Sequence, residues 1–146
     1  MTTTVPYETT VFVRDHCLCL HAQRAARTLA RRFDEALRPL GLTSGQFSLL
    51  NALNRADPAG MAAVATLLAM DRTTLTAALK PLERRGLVET AADTKDRRSR
   101  LLKLSRRGRS LLKRAIPIWR QTHAGLDRLL VDHDARDLRT ALRTLS

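Results

Sequence analysis

The chain has 146 residues, 44% of them hydrophobic, which is enough for one domain with a real core or two lobes sharing long helices, and too few for a large enzyme. Its 26 Lys and Arg against 14 Asp and Glu give a formal charge of +12, which points to a polyanionic partner. Aromatic content of 3%, with Tyr7, Phe12, Phe33, Phe47 and Trp119 scattered outside the most basic segment, argues against single-strand or RNA recognition by base stacking.

No apolar stretch approaches the ~20 residues of a membrane span; the longest uncharged one, Pro58 to Met70, falls short. The N-terminus lacks the basic flank and apolar run of a signal peptide, so the expected location is the cytoplasm, and Cys17 and Cys19 are expected as reduced thiols.

After a short polar tail, Leu18, Ala22, Ala25, Leu29, Phe33, Ala36, Leu37 and Leu40 recur in steps of three and four and predict one long amphipathic helix ended by Gly41. Thr43 or Ser44 caps a second helix carrying Phe47, Leu50 and Leu53, which stops in a turn at Asp57-Pro58-Ala59-Gly60. A third, shorter helix turns Met61, Val64, Ala65 and Leu68 inward. Asp71 caps a fourth, with Leu75, Ala78, Leu79 and Leu82 as its buried stripe and Gly86 closing it.

Leu87 to Ala91 and Ser99 to Leu104 read as two strands of a hairpin, with the charged segment Ala92 to Arg98 as its tip. Ser105 caps a fifth helix carrying Leu111, Leu112, Ala115, Ile116 and Trp119, in which Pro117 predicts a kink near Arg114 to Ile116. A last helix begins near Asp134 with Leu138, Ala141, Leu142 and Leu145 on one face.

Short helix, tight turn at Ala69-Met70-Asp71 and second helix form a helix-turn-helix, whose second helix enters the DNA major groove. Its inward stripe leaves Arg72, Thr73, Thr76, Ala77, Lys80 and Arg84 outward and Thr74 at the boundary. Threonine hydroxyls suit phosphates and base edges, and methyl groups suit thymine. The hairpin tip offers Lys95, Arg97, Arg98 and Arg100 to a neighbouring minor groove or its phosphates, with Asp96 expected to pair with an arginine and fix the tip. The charge is localised accordingly: residues 72–114 carry 14 basic and 4 acidic residues, against 12 and 10 everywhere else. A non-specific DNA-coating or architectural protein is the alternative that such charge also fits.

Asp71-Arg72-Thr73-Thr74-Leu75-Thr76, Leu82-Glu83-Arg84-Arg85-Gly86-Leu87-Val88 and Asp96-Arg97-Arg98-Ser99, followed by Leu102-Lys103-Leu104-Ser105 and Gly108, resemble the signature of the MarR family across nearly the whole chain. The resemblance implies a mainly α fold with a small β-hairpin: a winged helix-turn-helix flanked by long N- and C-terminal dimerisation helices. On that pattern residues 1–42 and 105–146 dimerise and 43–104 bind double-stranded DNA. It further implies a homodimer reading a pseudo-palindromic operator, and a repressor released by a small phenolic or other aromatic effector or by oxidation. Pro81 departs from the pattern and is predicted to bend the recognition helix around Ala77, limiting contacts beyond Lys80.

The spacing of Cys19 to Arg27, Phe33, Leu40 and Thr43 resembles the first helix of the peroxide-sensing branch of that family, which makes Cys19 the candidate sensor. The tyrosines that activate the thiol there correspond to Gln23, Phe33 and Ser44, so that machinery is expected to be missing. His16, Arg27 and Gln46 are the candidate polar lining of an effector pocket. Cys17 and Cys19, with His16 and His21 nearby, do not form a metal site or a disulfide if all lie on one helix, because residues two apart point ~200° away from each other. No catalytic set, phosphate loop or cofactor motif is present in the sequence.

Overall fold

The computed structural model describes residues 4–146; residues 1–3 of the polar tail and of the N-terminal unit lie outside the described residues. Helix α1 spans Tyr7–His16 and α2 Leu18–Leu37, followed by a 3-10 turn at Arg38–Leu40. Then come α3 (Ser44–Ala52), β1 (Ala59–Gly60), α4 (Met61–Leu67), α5 (Arg72–Arg84), β2 (Val88–Ala92), β3 (Arg100–Leu104), α6 (Arg106–Leu129) and α7 (Ala135–Thr144).

The helix boundaries follow from local chemistry. Gly41 ends the 3-10 turn at φ +65°, a left-handed conformation that glycine adopts without strain. Thr43 and Gln46 form a reciprocal capping box on α3, each side chain accepting the other's backbone N–H at 3.1 Å. The Asp34 carboxylate accepts the N–H of Ser44 at 2.6 Å and so joins α2 to α3. Gly86, at φ +68°, closes α5 with Leu87 N–H donating to the Leu82 carbonyl at 2.9 Å. The last helix begins after Asp134, near where expected, and Asp134 caps it by accepting from the amides of Arg136 and Asp137.

Two expectations are corrected. Tyr7–His16 is helical rather than a polar tail, and a break at Cys17 (ψ 106°) separates this extra helix from the long helix that starts at Leu18 as expected. The apolar residues of α1 have no inward stripe to announce it: Tyr7, Phe12 and Val13 are exposed. Ala59 and Gly60, read as part of a turn, pair with Leu102 and Leu101 of β3. The hairpin therefore belongs to a three-stranded antiparallel sheet in the order β1-β3-β2. A two-residue strand carries no periodicity, and its partner is about forty residues away. The α6 helix continues through Pro117; it and Lys113, whose carbonyl it leaves without a helical donor, are both exposed to water.

The core lies in the central lobe. Leu37, Leu49, Leu50, Val64, Leu75, Leu82, Leu87 and Leu102 are almost fully buried, joined by Leu111, Leu112 and Ala115 from the first half of α6. α2 packs on α3 and α6, and α3 on α6. The terminal helices contribute nothing comparable: α1 and α7 bury no residue and α2 buries only Leu37.

The base of the hairpin is joined to α6 through Ser105. The buried Ser105 hydroxyl donates to the Gly86 carbonyl at 2.6 Å and accepts the Gly108 amide at 2.9 Å. A Cβ at Gly108 would collide with the Leu87 carbonyl, which accepts the Ser105 amide at 3.0 Å. Ser105→Ala is therefore expected to lower the unfolding free energy by ~1–3 kcal/mol through unpaired buried groups. Gly108→Ala is expected to cost at least that much, because main chain rather than a side chain must move. Urea unfolding at fixed chain concentration measures both, and unchanged midpoints would remove the junction from the account.

Candidate nucleic-acid interface

The start of α5 is held by its cap. Asp71 accepts the Thr74 amide at 2.7 Å and the Thr74 hydroxyl at 2.8 Å, one on each carboxylate oxygen. These bonds, the backbone amide first, hold the Asp71 carboxyl below its ordinary value. The Thr76 hydroxyl donates to the Arg72 carbonyl at 2.8 Å. The protons of Thr74 and Thr76 are thus committed within the helix, which narrows the threonine reading. Among the described residues, Thr73 is the recognition-helix threonine whose hydroxyl has no protein partner. Arg72, Ala77, Lys80 and Arg84 are exposed, as Leu75, Leu79 and Leu82 take the inner face. The helix runs unbroken through the half-buried Pro81, and that proline leaves the Ala77 carbonyl without a helical donor.

The helix-turn-helix turn is tight. Ala69 sits at φ +52°, and the Met70 amide donates back to the Ala65 carbonyl at 2.9 Å. At its other end α5 is held by Arg85, whose guanidinium donates to the Gly41 carbonyl at 2.6 Å and the Leu40 carbonyl at 3.3 Å. This arginine, adjacent to the candidate Arg84, is a structural clamp. Its signal in the sequence is only its place before Gly86.

At the hairpin tip both aspartates serve the backbone. Asp93 accepts the Lys95 amide at 2.9 Å, and Asp96 accepts the Arg98 amide at 3.0 Å while the Ser99 amide bonds the Asp96 carbonyl. Asp96 fixes the tip as expected, but through the main chain of Arg98 and not through a guanidinium. Lys95, Arg97, Arg98 and Arg100 all remain exposed. Glu89 and Lys103 pair at 3.2 Å further down the ladder, on its outer face. Between helix and hairpin lies a cleft of about 550 Å³, lined by Arg72, Thr76 and Lys80 on one wall and Arg98 and Arg100 on the other. Glu83 is the one carboxylate in its lining.

The three candidate pocket residues are not brought together. His16 stacks on Phe12 and donates from Nδ1 to the Phe12 carbonyl at 2.8 Å. Gln46 is engaged in the α3 capping box, and Arg27 is exposed, with Gln23 Oε1 at 3.5 Å. A notch of about 420 Å³ lies instead between α3, α4 and α6, lined by Phe47, Ser48, Asn51, Leu68, Ile116 and Trp119 among others. Its Phe47 and Trp119 rings stack with centroids 6.3 Å apart. The available signal was Trp119, placed three residues after Ile116 on one face of α6.

Cys17 lies at the break between α1 and α2, where its sulfur accepts the Leu20 amide at 3.4 Å. The geometric argument that assumed one continuous helix through both cysteines does not apply there. Cys19 is exposed, and Gln23 donates to its sulfur at 3.3 Å, so the residue standing where the resemblance places a tyrosine does supply a donor. Among the described residues no three His, Cys, Asp or Glu side chains come together as a ligand set, and no helix is long and apolar enough to cross a membrane.

A family model described as MarR family matches residues 40–99. Among solved structures, the transcriptional regulator MosR of M. tuberculosis in complex with DNA is 35% identical, with a TM-score of 0.81, over 89% of this chain and 93% of that one. The organic hydroperoxide resistance transcriptional regulator of Bacillus subtilis is 29% identical over 128 residues, 88% of this chain and 86% of that protein. The transcriptional activatory protein BadR of Rhodopseudomonas palustris is 35% identical over 89 residues, a match spanning about half of BadR's length (51%).

The Asp71 cap has a pH signature. Its folded pKa lies below the unfolded value, so its contribution to stability is present above the ordinary carboxylate range and is lost as pH falls through the folded pKa. Asp71→Asn keeps a capping oxygen and cannot titrate. The difference in melting temperature between wild type and Asp71→Asn is expected to shrink on acidification through that window. A difference independent of pH would contradict the cap.

Proposed function

This chain belongs to the MarR family of transcriptional regulators, and we propose that it reads a pseudo-palindromic duplex operator as a homodimer and represses transcription until a small aromatic ligand or thiol oxidation releases it. It is a regulator of transcription and not an enzyme. The observation that carries the DNA reading is the cleft in which Arg72, Thr76 and Lys80 of α5 face Arg98 and Arg100 of the wing. Two walls of cations across one cleft suit a duplex whose major groove takes the helix and whose adjacent minor groove takes the wing. The DNA complex of MosR, similar over nine-tenths of both chains, supports the same reading.

In this assignment Arg72, Thr73, Ala77 and Lys80 meet base edges, and Thr74 and Thr76 offer methyl groups and acceptor oxygens. Arg84 is left for phosphate. Lys95, Arg97 and Arg98 enter the minor groove, and Arg100 holds the phosphates beside it.

The dimer reading rests on apolar surface that the single chain leaves uncovered. Leu29, Leu126, Leu130, Leu138 and Leu142 line a cleft of about 370 Å³ between α2, α6 and α7, and Tyr7, Phe12, Leu18 and Leu145 are more than 60% exposed. A second copy's terminal helices supply matching apolar faces, which assigns residues 1–42 and 105–146 to dimerisation and 43–104 to reading. A dimer across two adjacent half-sites occludes a promoter, which favours repression. The Phe47–Trp119 notch, between the reading lobe and α6, suits an aromatic effector. Cys19, exposed and with the Gln23 amide on its sulfur, is the candidate for the oxidative route.

Gel-shift titration at physiological salt tests the reading with a palindromic duplex recovered by selection and a scrambled control. The palindrome is expected to bind far more tightly; equal affinity would leave the non-specific coating function that the +12 charge also fits. Thr73→Ala and Lys80→Ala are expected to alter base preference. Arg97→Ala is expected to weaken binding to every duplex and flatten the salt slope by about 1. Peroxide is expected to release the wild type while Cys19→Ser stays bound, and identical behaviour of the two would exclude Cys19 as the sensor.

A further inference from the structure

The basic excess of residues 72–114 extends beyond the reading cleft. Arg85, Arg106, Arg107 and Arg114, with Ser110, line a second groove of about 560 Å³ over an apolar floor that includes Leu40. It shares no lining residue with the first cleft. Arg85 adjoins the C-terminal end of α5, about 18 Å along the helix from Arg72 at 1.5 Å per residue. Recognition helices read bases with their N-terminal residues, so the second groove stands apart from that contact.

The electrostatics of the groove are uncompensated. No carboxylate lines it, and among the described residues none of the four arginines has an ion-pair partner. Arg106 and Arg107 occupy the first turn of α6, which carries no acidic residue, so both oppose the positive end of a 24-residue helix. Arg85 is fixed in place by its bonds to the Leu40 and Gly41 carbonyls, with N–H groups to spare. Four guanidiniums of like charge around one hollow are stabilised by a multiply charged anion, and the planar fork matches phosphate oxygens.

We propose that this groove binds phosphate, carried either by a small phosphorylated effector or by the backbone of a bound duplex. An occupant touches Arg85, the clamp on the end of α5, and the two residues that follow Ser105, so it bears on the joint that sets the reading head. Phosphate binding itself does not depend on the operator reading; only its effect on DNA affinity rests on it.

Isothermal titration of inorganic pyrophosphate into the full chain tests the proposal. The comparison set is wild type, an Arg106→Ala/Arg107→Ala double variant, Arg128→Ala as a remote charge control, and Arg97→Ala/Arg98→Ala as a reading-cleft control, each checked for native circular dichroism. Saturable binding, weakened about tenfold or more in the groove variant and retained in both controls, is the expected result for a small effector. If pyrophosphate does not bind but the groove variant, unlike Arg128→Ala, holds the selected duplex more weakly and with a shallower salt slope, the phosphate is that of the DNA backbone. The proposal is overturned if the groove variant changes neither measurement, or if a control loses pyrophosphate binding to the same extent.

Discussion

The Ser105 hydroxyl, which donates to Gly86 and accepts from Gly108, is where the recognition helix, the wing and the long helix α6 are made into one body. Gly86 ends α5, Leu87 opens the run into β2, and Gly108 lies in the first turns of α6. The contact closes only because Gly108 has no side chain against the Leu87 carbonyl. With the Arg85 clamp on Leu40 and Gly41, it fixes the C-terminal end of α5 from two sides. Everything that faces solvent on the reading surface, from Arg72 to the wing tip, is positioned from this base. The α6 helix also runs from it past Trp119, whose ring stacks on Phe47 of α3, so the notch between α3, α4 and α6 lies on the same helix as the joint.

Much of the fold was legible in the sequence because much of it is local. The caps at Thr43, Asp71 and Ser105 act within a few residues of themselves, and Gly41 and Gly86 mark left-handed ends that few other residues tolerate. What escaped was non-local or unpatterned. Strand β1 exists only through its pairing with β3. The helical Tyr7–His16 segment buries nothing in the single chain, so no periodicity distinguishes it from a tail. The break at Cys17 is likewise unsignalled, since no proline or glycine marks it.

The site divides in the same way. The exposure of Arg72, Thr73, Ala77 and Lys80 follows from the spacing of the leucines they oppose. The choice of hydrogen-bond partner does not. Thr74 and Thr76 turn to their own helix, Asp96 serves a backbone amide, and Gln46 caps α3 rather than lining a pocket. Charge count alone also could not separate the arginines of the reading cleft from Arg85, which holds two carbonyls, or from those of the second groove.

The central claim is that helix and wing of each copy grip one duplex together, twice, with two-fold symmetry. Hydroxyl-radical footprinting on a selected duplex measures this directly. Protected backbone segments across two minor-groove stretches on one face are predicted, where the wings enter, flanking two half-sites about one helical turn apart and related by a dyad. Protection that is uniform along the duplex, or that lacks the dyad, would contradict it.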